Sequence, residues 1–422
     1  MHIYFSGIGG VGIGPLAEIA FDAGHDVSGS DLHDSLMIGQ LQKRGVDVLI
    51  GQDGSQIQSV HEKKPLDWLV HTAALPDDHP ELLFARENSI RTSKRDELLA
   101  DIISTKQLRL IAISGTHGKT TTTGMMVWAM KQLNIPISYS VGTTLSYGPS
   151  GCFDASSEYF VYECDEFDRN MLHFTPYLSL ITSLEHDHVE TYPDTNDYRQ
   201  AFIQFLEQSE SGVMWEKDFR FLRTDPRANL DIFDEHVRLS DIQLAGLHVR
   251  QNAFLVLQTL TKLLPDLDQK AILEAINSFP GTARRFEKIE KNLYTDYGHH
   301  PAEIAATLQL AHEINKEVAL VYQPHQNKRQ HEVRELYTPD VFSAAKHVYW
   351  LPTYLSREDP SQDVLEPRQL ADQLDQSKLT YAEMNDSLED AVKQHVSSGH
   401  LVLVMGAGDI DAWLRNTHSV DK

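Results

Sequence analysis

Three glycines near the start of the chain have the spacing of a nucleotide-binding loop. The pattern Gly7-x-Gly9-x-x-Gly12 follows a short apolar run, and Asp31 lies nineteen residues beyond the last glycine. Glycines at this spacing let the backbone approach a pyrophosphate at the start of a helix, and the later acid binds a ribose hydroxyl. The pattern fits NAD, FAD or another nucleotide. It also fits a glycine-rich turn that only packs closely.

A second glycine-rich segment, GTHGKT at residues 115–120, carries the groups that a triphosphate needs. Its backbone N–H groups can approach phosphates, the Lys119 ammonium can bind the β- and γ-phosphates, and the Thr120 hydroxyl can bind Mg²⁺. Ile113 stands where the full P-loop pattern has its first glycine. Because the segment joins an apolar strand to a helical pattern, it predicts an ATP site, with Lys119 exposed in the loop.

Two clusters of acids and histidines follow strand-like runs further along the chain. ECDEFD at residues 163–168 follows the run 159–162, and EHDH at residues 185–188 follows the run 177–183. Since the carboxyl ends of parallel strands meet at one crevice, both clusters should face the phosphate-binding loop and could bind Mg²⁺. Either cluster alone also fits a solvated loop. The HDH spacing resembles a transition-metal site, for which no third ligand is evident.

The elements that must position these groups are strand–turn–helix units, and the pattern predicts three of them. A parallel, doubly wound sheet is expected in each, because strands and helical segments alternate throughout. A helix and linker over 91–107 should separate the first two units. The predicted strands are 2–6, 25–30, 108–114, 318–322 and 401–405, and the predicted helices after the two glycine loops are 15–23 and a segment running to about 133.

Composition and charge exclude several classes of protein. The 422 residues are 41% hydrophobic and 23% charged, which is typical of a folded globular chain with two to four domains. The formal charge of −24 argues against a nucleic-acid or anionic-membrane partner, and no apolar run is long enough to span a bilayer. Two cysteines cannot form a disulfide framework, and the first residues lack the features of a secretion signal. We expect a cytoplasmic location.

Taken together, the motifs resemble those of the Mur ligases of peptidoglycan synthesis. The resemblance extends over all three units in the family's order, and DYGHHP with the PHxxxR segment is more specific than either glycine loop. The segments that carry it are GIGGVG, SGSD, ISGTHGKTTT, ECDEFDRNML, EHDHVETY, FPGTARRFE, DYGHHPAE, YQPHQNKR and VMGAGDI.

This resemblance implies an α/β protein of three domains. Residues 1–105 would form an N-terminal Rossmann-like domain for a UDP-sugar, and residues 106–281 a central domain with a P-loop ATPase-type parallel sheet. Residues 282–422 would form a C-terminal Rossmann-like domain for the amino acid. The cofactors implied are ATP and Mg²⁺. The substrates implied are UDP-N-acetylmuramic acid and a small L-amino acid, and the expected state is a monomer or homodimer.

Residue roles carry over from the resemblance position by position. Lys119, Glu163, His188 and Arg285 would be the catalytic residues, with Thr120, Glu163 and His188 as magnesium ligands. The ATP site would comprise Gly115, Thr116, Gly118, Lys119, Thr120, Thr121, His248, Asn252, Arg285 and Asp296. The UDP-sugar site would comprise Gly9, Gly10, Val11, Gly12, Asp31 and Thr72. Tyr297, His325 and Arg329 would line the amino-acid site, where the Arg329 guanidinium could bind the carboxylate with two hydrogen bonds.

Four departures from the family pattern bear on these roles. Ser183 and Val249 each replace an asparagine, and Gln326-Asn327-Lys328 replaces Arg-Tyr-Thr before Arg329. The stretch between Trp215 and Gly246 is shorter than expected. These departures concern the adenine contacts and the closure of the central domain.

The implied activity is an ATP-dependent amide ligase. A carboxylate on the UDP-linked sugar attacks the γ-phosphate to give an acyl phosphate, and the amine of L-alanine or a similar amino acid then displaces phosphate. The alternatives are a ligase that attaches an intact tripeptide to the same sugar nucleotide, an NAD-dependent oxidoreductase, and a non-catalytic nucleotide sensor. The oxidoreductase alternative leaves the segment 115–120 without a role.

Overall fold

Strands and helices alternate along the chain, as the alternation of apolar and amphipathic segments predicts. The computed structural model describes residues 1–10, 12–72, 75–356, 358–359 and 361–418. Within this part of the chain the strands form three sheets. The chain divides into two compact units, one made of Met1–Arg238 with Ala253–Phe279 and the other of Leu239–Asn252 with Pro280–Lys422.

The first sheet is parallel, with the strand order β3-β2-β1-β4-β5. Its strands are β1 (His2–Ser6), β2 (Asp26–Asp31), β3 (Asp47–Ile50), β4 (Trp68–His71) and β5 (Arg91–Lys94). Its helices are α1 (Gly14–Asp22), α2 (Leu36–Lys43), α3 (Ser55–Lys63), α4 (Pro80–Glu87) and α5 (Arg95–Thr105). The strand order reverses between β1 and β4, and the carboxyl ends of strands at such a point form the crevice in which doubly wound sheets bind ligands.

The second sheet lies in the same unit and has the order β12-β11-β10-β6-β9-β7-β8, with only β8 antiparallel. Its strands are β6 (Arg109–Ser114), β7 (Ile137–Ser140), β8 (Gly151–Cys152), β9 (Tyr159–Glu163), β10 (Leu178–Ile181), β11 (Gly212–Trp215) and β12 (Leu230–Phe233). The helices that follow are α6 (Lys119–Gln132), α7 (Thr195–Gln208), α8 (Glu216–Leu222), α9 (Leu247–Leu263) and α10 (Gln269–Asn277). A 3₁₀ segment covers Phe167–His173. The central position of β6 brings the phosphate-binding loop between the ends of β9 and β10.

The third sheet belongs to the second unit and has the order β13-β14-β18-β15-β16-β17, with β13 antiparallel to β14. Its strands are β13 (Glu287–Glu290), β14 (Leu293–Asp296), β15 (Val318–Tyr322), β16 (His347–Trp350), β17 (Leu379–Tyr381) and β18 (Leu401–Met405). Its helices are α11 (Pro301–Ile314), α12 (Asn327–Val333), α13 (Pro367–Leu370), α14 (Asp386–Ser397) and α15 (Ile410–Thr417). Short 3₁₀ turns cover Arg334–Leu336 and Gln376–Lys378.

The helix after the phosphate-binding loop is buried on almost every side. Met125, Met126 and Met130 of α6 have no exposed surface, because the helix packs against β9 and α10. Buried apolar area of this kind is the main stabilising term of a domain, at about 25 cal/mol per Å². The loop therefore leads into a helix that is held firmly in place.

One segment differs from the sequence-based expectation. Residues 91–94 form the edge strand β5 and not the start of a helix, because Trp68 of β4 pairs with Arg91 and lies under its guanidinium. The three sheets lie inside the predicted ranges 1–105, 106–281 and 282–422. The compact units number two, so the positions of the domain boundaries stay a prediction.

Candidate active site

The loop between β6 and α6 has two glycines that a side chain could not replace without strain. Gly115 has φ of 131°, and a Cβ there would lie 2.5 Å from Thr182 Oγ1 and 2.7 Å from the Ser183 carbonyl oxygen. Gly118 has φ of 87° and caps α6 in the left-handed region. The backbone of residues 115–118 therefore lies directly against the end of β10, as a phosphate-binding loop requires.

Lys119 is the first residue of α6, and its side chain is only 15% exposed. Its ammonium donates to Glu166 Oε2 at 2.6 Å, to the Gly115 carbonyl at 2.6 Å and to the Thr116 carbonyl at 3.3 Å. The expectation of an exposed lysine is wrong, because a fully buried carboxylate reaches the loop from the segment after β9. The ammonium lies within the loop, where it was predicted to bind the ATP phosphates.

Glu166 joins the loop lysine to a histidine of the EHDH cluster. Its carboxyl group has no exposed surface, and Oε1 lies 3.5 Å from His188 Nε2. Burial alone would raise the pKa of Glu166, but Lys119 and His188 hold it below its ordinary value. Burial likewise opposes the charged forms of Lys119 and His188, yet Glu166 raises the pKa of both. Glu166 therefore favours the charged forms of Lys119 and His188, and these two groups favour the charged form of Glu166.

Glu166 was not among the predicted site residues, although it lies in the acidic run 163–168 that was expected to face the loop. The run itself does not show that Lys119 is the partner of Glu166, since the two residues are 47 positions apart. The backbone that follows Glu166 is strained, with Asp168 and Arg169 at φ of 53° and 57°. Arg169 is held there by both carboxylate oxygens of Asp197 at 2.6 Å.

Two of the predicted metal ligands are in contact. The Thr120 hydroxyl donates to Glu163 Oε1 at 2.6 Å, and the Gly142 backbone N–H donates to Glu163 Oε2 at 2.7 Å. The third, His188, contacts Glu166 and has a φ of 57°. Hydroxyl and carboxylate oxygens are the ligands that Mg²⁺ prefers, so the pair formed by Thr120 and Glu163 fits that ion.

Other loop side chains have structural contacts. The Thr116 hydroxyl lies 2.8 Å from the Tyr198 hydroxyl and bonds both the backbone N–H and the carbonyl of Glu185. Ser183, which replaces the family's asparagine, accepts from the His117 backbone N–H at 3.0 Å. These bonds tie the EHDH loop to the phosphate-binding loop. Thr121 follows Thr120 in α6 and is partly buried.

The first glycine loop is organised around Asp31. The Gly9 backbone N–H donates to Asp31 Oδ2 at 2.8 Å, and a Cβ at Gly9 would lie 3.0 Å from that oxygen. Gly7, with φ of 80°, lies against Thr72, since a Cβ there would be 3.3 Å from Thr72 Cγ2. The predicted residues Gly9, Asp31 and Thr72 thus lie around one loop at the ends of β1, β2 and β4.

Three further predicted positions belong to the same loop. Gly10 donates to the Gly7 carbonyl at 3.1 Å and so closes the turn. A Cβ at Gly12 would lie 3.0 Å from Arg95 Nη1. Val11 lies outside the described residues.

In the second unit, Asp296 ends β14 and is buried. It accepts from the backbone N–H groups of Phe286 at 2.8 Å and Gly298 at 2.7 Å. Burial raises the pKa of Asp296 to about 6, although Arg285 and these two bonds favour the ionised form. Arg285 lies 5.1 Å from the centre of the Tyr297 ring. The structure thus brings Asp296, Arg285 and Tyr297 together.

The predicted amino-acid site residues form a second cluster in this unit. Arg329 Nη1 makes a short contact with His299 Nε2, and His299 Nδ1 lies 3.3 Å from the Tyr297 carbonyl. Burial lowers the pKa of His299 to about 4, so the ring is neutral near pH 7 and Nε2 can accept from Arg329. His325 packs edge-to-face on His299 and stacks on Tyr354. Tyr297, His325 and Arg329 therefore lie around His299, which was not among the predicted site residues.

His248 and Asn252 lie at the start of α9, and Asn252 is buried. Burial lowers the pKa of His248 to about 4, and its Nδ1 is a buried atom without a hydrogen-bond partner among the described residues. An unsatisfied polar atom of this kind costs about 1–3 kcal/mol unless something else binds it. This fits a residue that contacts a polar ligand.

The parallel sheets and the loop built on Lys119 define a nucleotide-binding α/β protein of the P-loop class. Three family models match the chain in order: "Mur ligase family, catalytic domain" over residues 2–107, "Mur ligase middle domain" over 113–233, and "Mur ligase, glutamate ligase domain" over 284–408. A UDP-N-acetylmuramate–L-alanine ligase of Clostridium acetobutylicum is 30% identical, covering 97% of this chain and 95% of its own. One from Nitrosospira multiformis is also 30% identical, with coverages of 97% and 92%.

The chain belongs to the Mur ligase family. Its fold resembles the crystal structure of UDP-N-acetylmuramate–alanine ligase from Thermotoga maritima, with a TM-score of 0.75 and 24% identity over 99% of this chain and 98% of the other. It also resembles a murein peptide ligase from Psychrobacter arcticus, with a TM-score of 0.65 and 19% identity over 100% of both chains. The predicted family, fold class and enzyme class are confirmed. Among the described residues, none of the helices combines the length and apolar character needed to cross a bilayer.

Proposed function

We propose that this chain joins L-alanine to the carboxylate of UDP-N-acetylmuramic acid, with cleavage of ATP to ADP and phosphate. The observation that carries the proposal is the loop lysine Lys119, held ionised by Glu166 beside the contact between Thr120 and Glu163. A cation fixed at a glycine loop is suited to binding phosphate groups. We take the identity of the two substrates from the names of relatives that match nearly the whole chain.

The reaction consists of two displacements. A carboxylate oxygen attacks the γ-phosphorus of ATP and ADP leaves, and the amine nitrogen of L-alanine then attacks the acyl carbon and phosphate leaves. Carboxylate and phosphate are both anions, so the first step needs fixed positive charge. Lys119 supplies part of it from within the loop, and we assign Arg285 to the ATP phosphates as well. We assign Arg329 to the L-alanine carboxylate and Asp31 to the nucleotide part of the sugar.

Mg²⁺ fits the donor set of the loop. Thr120 and Glu163 would hold it, together with His188, and bound there it would neutralise phosphate charge. The Gly142 backbone N–H donates to Glu163 Oε2 and so fixes the orientation of the carboxylate. We also propose that the enzyme acts in the cytoplasm as a monomer or homodimer.

Phosphate release by the purified chain tests the proposal. We expect release only when UDP-N-acetylmuramic acid and an amino acid are both present, with L-alanine preferred over glycine, L-serine and a tripeptide. Lys119→Ala should abolish it. Release with the tripeptide but not with L-alanine would assign the ligase that attaches an intact tripeptide instead. Oxidation of NADH without phosphate release would refute the ligase.

A further inference from the structure

Three histidines and a tyrosine form a cluster in the second unit that the proposed reaction does not use. His347 and Tyr349 lie two positions apart in β16 and therefore face the same side of the third sheet. His395 is in the last turn of α14, and His400 comes directly before β18. His347 opens β16, whereas Asp296 closes β14, so the cluster lies at the opposite edge of these parallel strands from Asp296.

Ring nitrogens of two of these histidines face each other. His395 Nδ1 lies 2.9 Å from His400 Nδ1, and the ring centres are 5.2 Å apart. The other nitrogen of His395, Nε2, lies 3.1 Å from the Tyr349 hydroxyl. With its proton on Nε2, where the tyrosine oxygen accepts it, His395 presents the Nδ1 lone pair to His400. His400 then donates its own Nδ1 proton to that lone pair.

Burial keeps the rings in the neutral form that binds metals. It lowers the pKa of His395, and the neighbouring rings of His400 and His347 lower it further. Burial also lowers the pKa of His347. Both rings are therefore uncharged near pH 7, and neutral imidazole is a preferred ligand of Zn²⁺ and related ions. The rings are only partly buried, so an ion can reach them from solvent.

The charges around the pair are compatible with a bound cation. Lys393, two positions before His395, contacts Glu389, and Lys346, directly before β16, lies 3.5 Å from Glu317. Each of these lysines is thus paired with a carboxylate. In addition, α14 ends two residues after His395, and the carbonyl end of a helix carries a partial negative charge.

We propose that His395 and His400 bind a divalent transition-metal ion of the Zn²⁺ class through their Nδ1 atoms. Two imidazole nitrogens about 2.0–2.1 Å from a tetrahedral Zn²⁺ are about 3.4 Å apart, so a small rotation of the rings that widens the observed pair by about half an ångström admits the ion. The His400 proton moves through solvent from Nδ1 to Nε2, so both rings stay neutral and no net proton is released. Water fills the other positions.

The ion would tie the end of α14 to the start of β18. The Tyr349 hydroxyl would hold His395 in the tautomer that leaves Nδ1 for the metal, as hydrogen-bond partners of ligating histidines do in metal sites. This inference does not depend on the proposed function, because the cluster shares no residue with the predicted substrate sites.

The test is Zn²⁺ binding to the full chain, measured by competition with a chromophoric chelator in excess Mg²⁺ and ADP, which occupy ligands at the phosphate-binding loop. His395→Ala and His400→Ala should each weaken the binding of one Zn²⁺ equivalent by at least about tenfold, because one of two protein ligands is lost. Zn²⁺ should also raise the melting temperature of the wild type more than that of either variant. His236→Ala is the matched control, since this exposed histidine lies 2.7 Å from Asp234 Oδ1 and outside the cluster, and it should bind Zn²⁺ as the wild type does.

Equal Zn²⁺ affinity in the wild type and both cluster variants would overturn the inference. So would a loss of the same equivalent in His236→Ala, which would place the ion beside Asp234. If neither cluster variant folds, Tyr349→Phe decides, because it keeps both ligands and removes only the partner of His395 Nε2. We expect Zn²⁺ binding about tenfold weaker in that variant, and wild-type affinity would refute us.

Discussion

The burial of the ion pair between Lys119 and Glu166 determines how much stability the chain should lose when the pair is broken. Glu166→Gln removes the charge from a carboxyl group with no exposed surface, while its partner Lys119 is 15% exposed. Breaking a buried pair from one side leaves the other charge without compensation, at a cost of about 3–5 kcal/mol. Because glutamine keeps an oxygen that can accept from the ammonium, we expect the lower end, about 3 kcal/mol, and a large loss of phosphate release.

A double-mutant cycle measures the pair directly. Urea unfolding of the wild type, Glu166→Gln, Lys119→Met and the double variant should give a coupling free energy of about 2–3 kcal/mol. The matched control is the pair of Arg109 and Glu158, which has the same separation of 2.6 Å but side chains 49% and 58% exposed. That pair should couple by less than about 1 kcal/mol. A coupling for Lys119 and Glu166 no larger than the control would refute the buried cluster.

Three further predictions concern pH and the substrate sites. Burial raises the pKa of Asp218 from 3.8 to about 6. Between these two pH values the folded chain binds a proton that the unfolded chain has lost, so the free energy of unfolding falls as the pH rises. Asp218→Asn should recover about 2–3 kcal/mol in urea unfolding at pH 7. Arg329→Ala should raise the apparent KM for L-alanine at least about tenfold in the phosphate-release assay with little change for ATP, and Arg329→Lys should recover only part. Asp31→Ala should reduce the rise in melting temperature caused by UDP-N-acetylmuramic acid, because the carboxylate that orients Gly9 is lost.

Each of these has an outcome that contradicts it. A pH dependence of stability in Asp218→Asn identical to that of the wild type would show that another group is responsible. Equal damage to the L-alanine and ATP kinetics in Arg329→Ala would remove Arg329 from the amino-acid site. A melting shift from NADH and none from the UDP-sugar would return the first loop to a dinucleotide.

Features that depend on local sequence could be predicted. The two glycine loops, the strand before each and the helix after each are local, because the φ values that glycine permits and the alternation of apolar residues act over a few positions. Strands Val318–Tyr322 and Leu401–Met405 were predicted to the residue. The segment 91–94 was not, since its strand exists only through pairing with β4.

The partners within the site depended on tertiary structure. The sequence indicated that the acidic run 163–168 would face the loop, because β6 and β9 end at the same edge of a parallel sheet. The run does not show which acid binds Lys119: Glu166 accepts from the lysine, and Glu163 accepts from Thr120 instead. Burial of the lysine and the position of Arg95 against Gly12 likewise arise from packing between segments far apart in the chain. No local pattern encodes such distances, since they are set by the sum of many contacts.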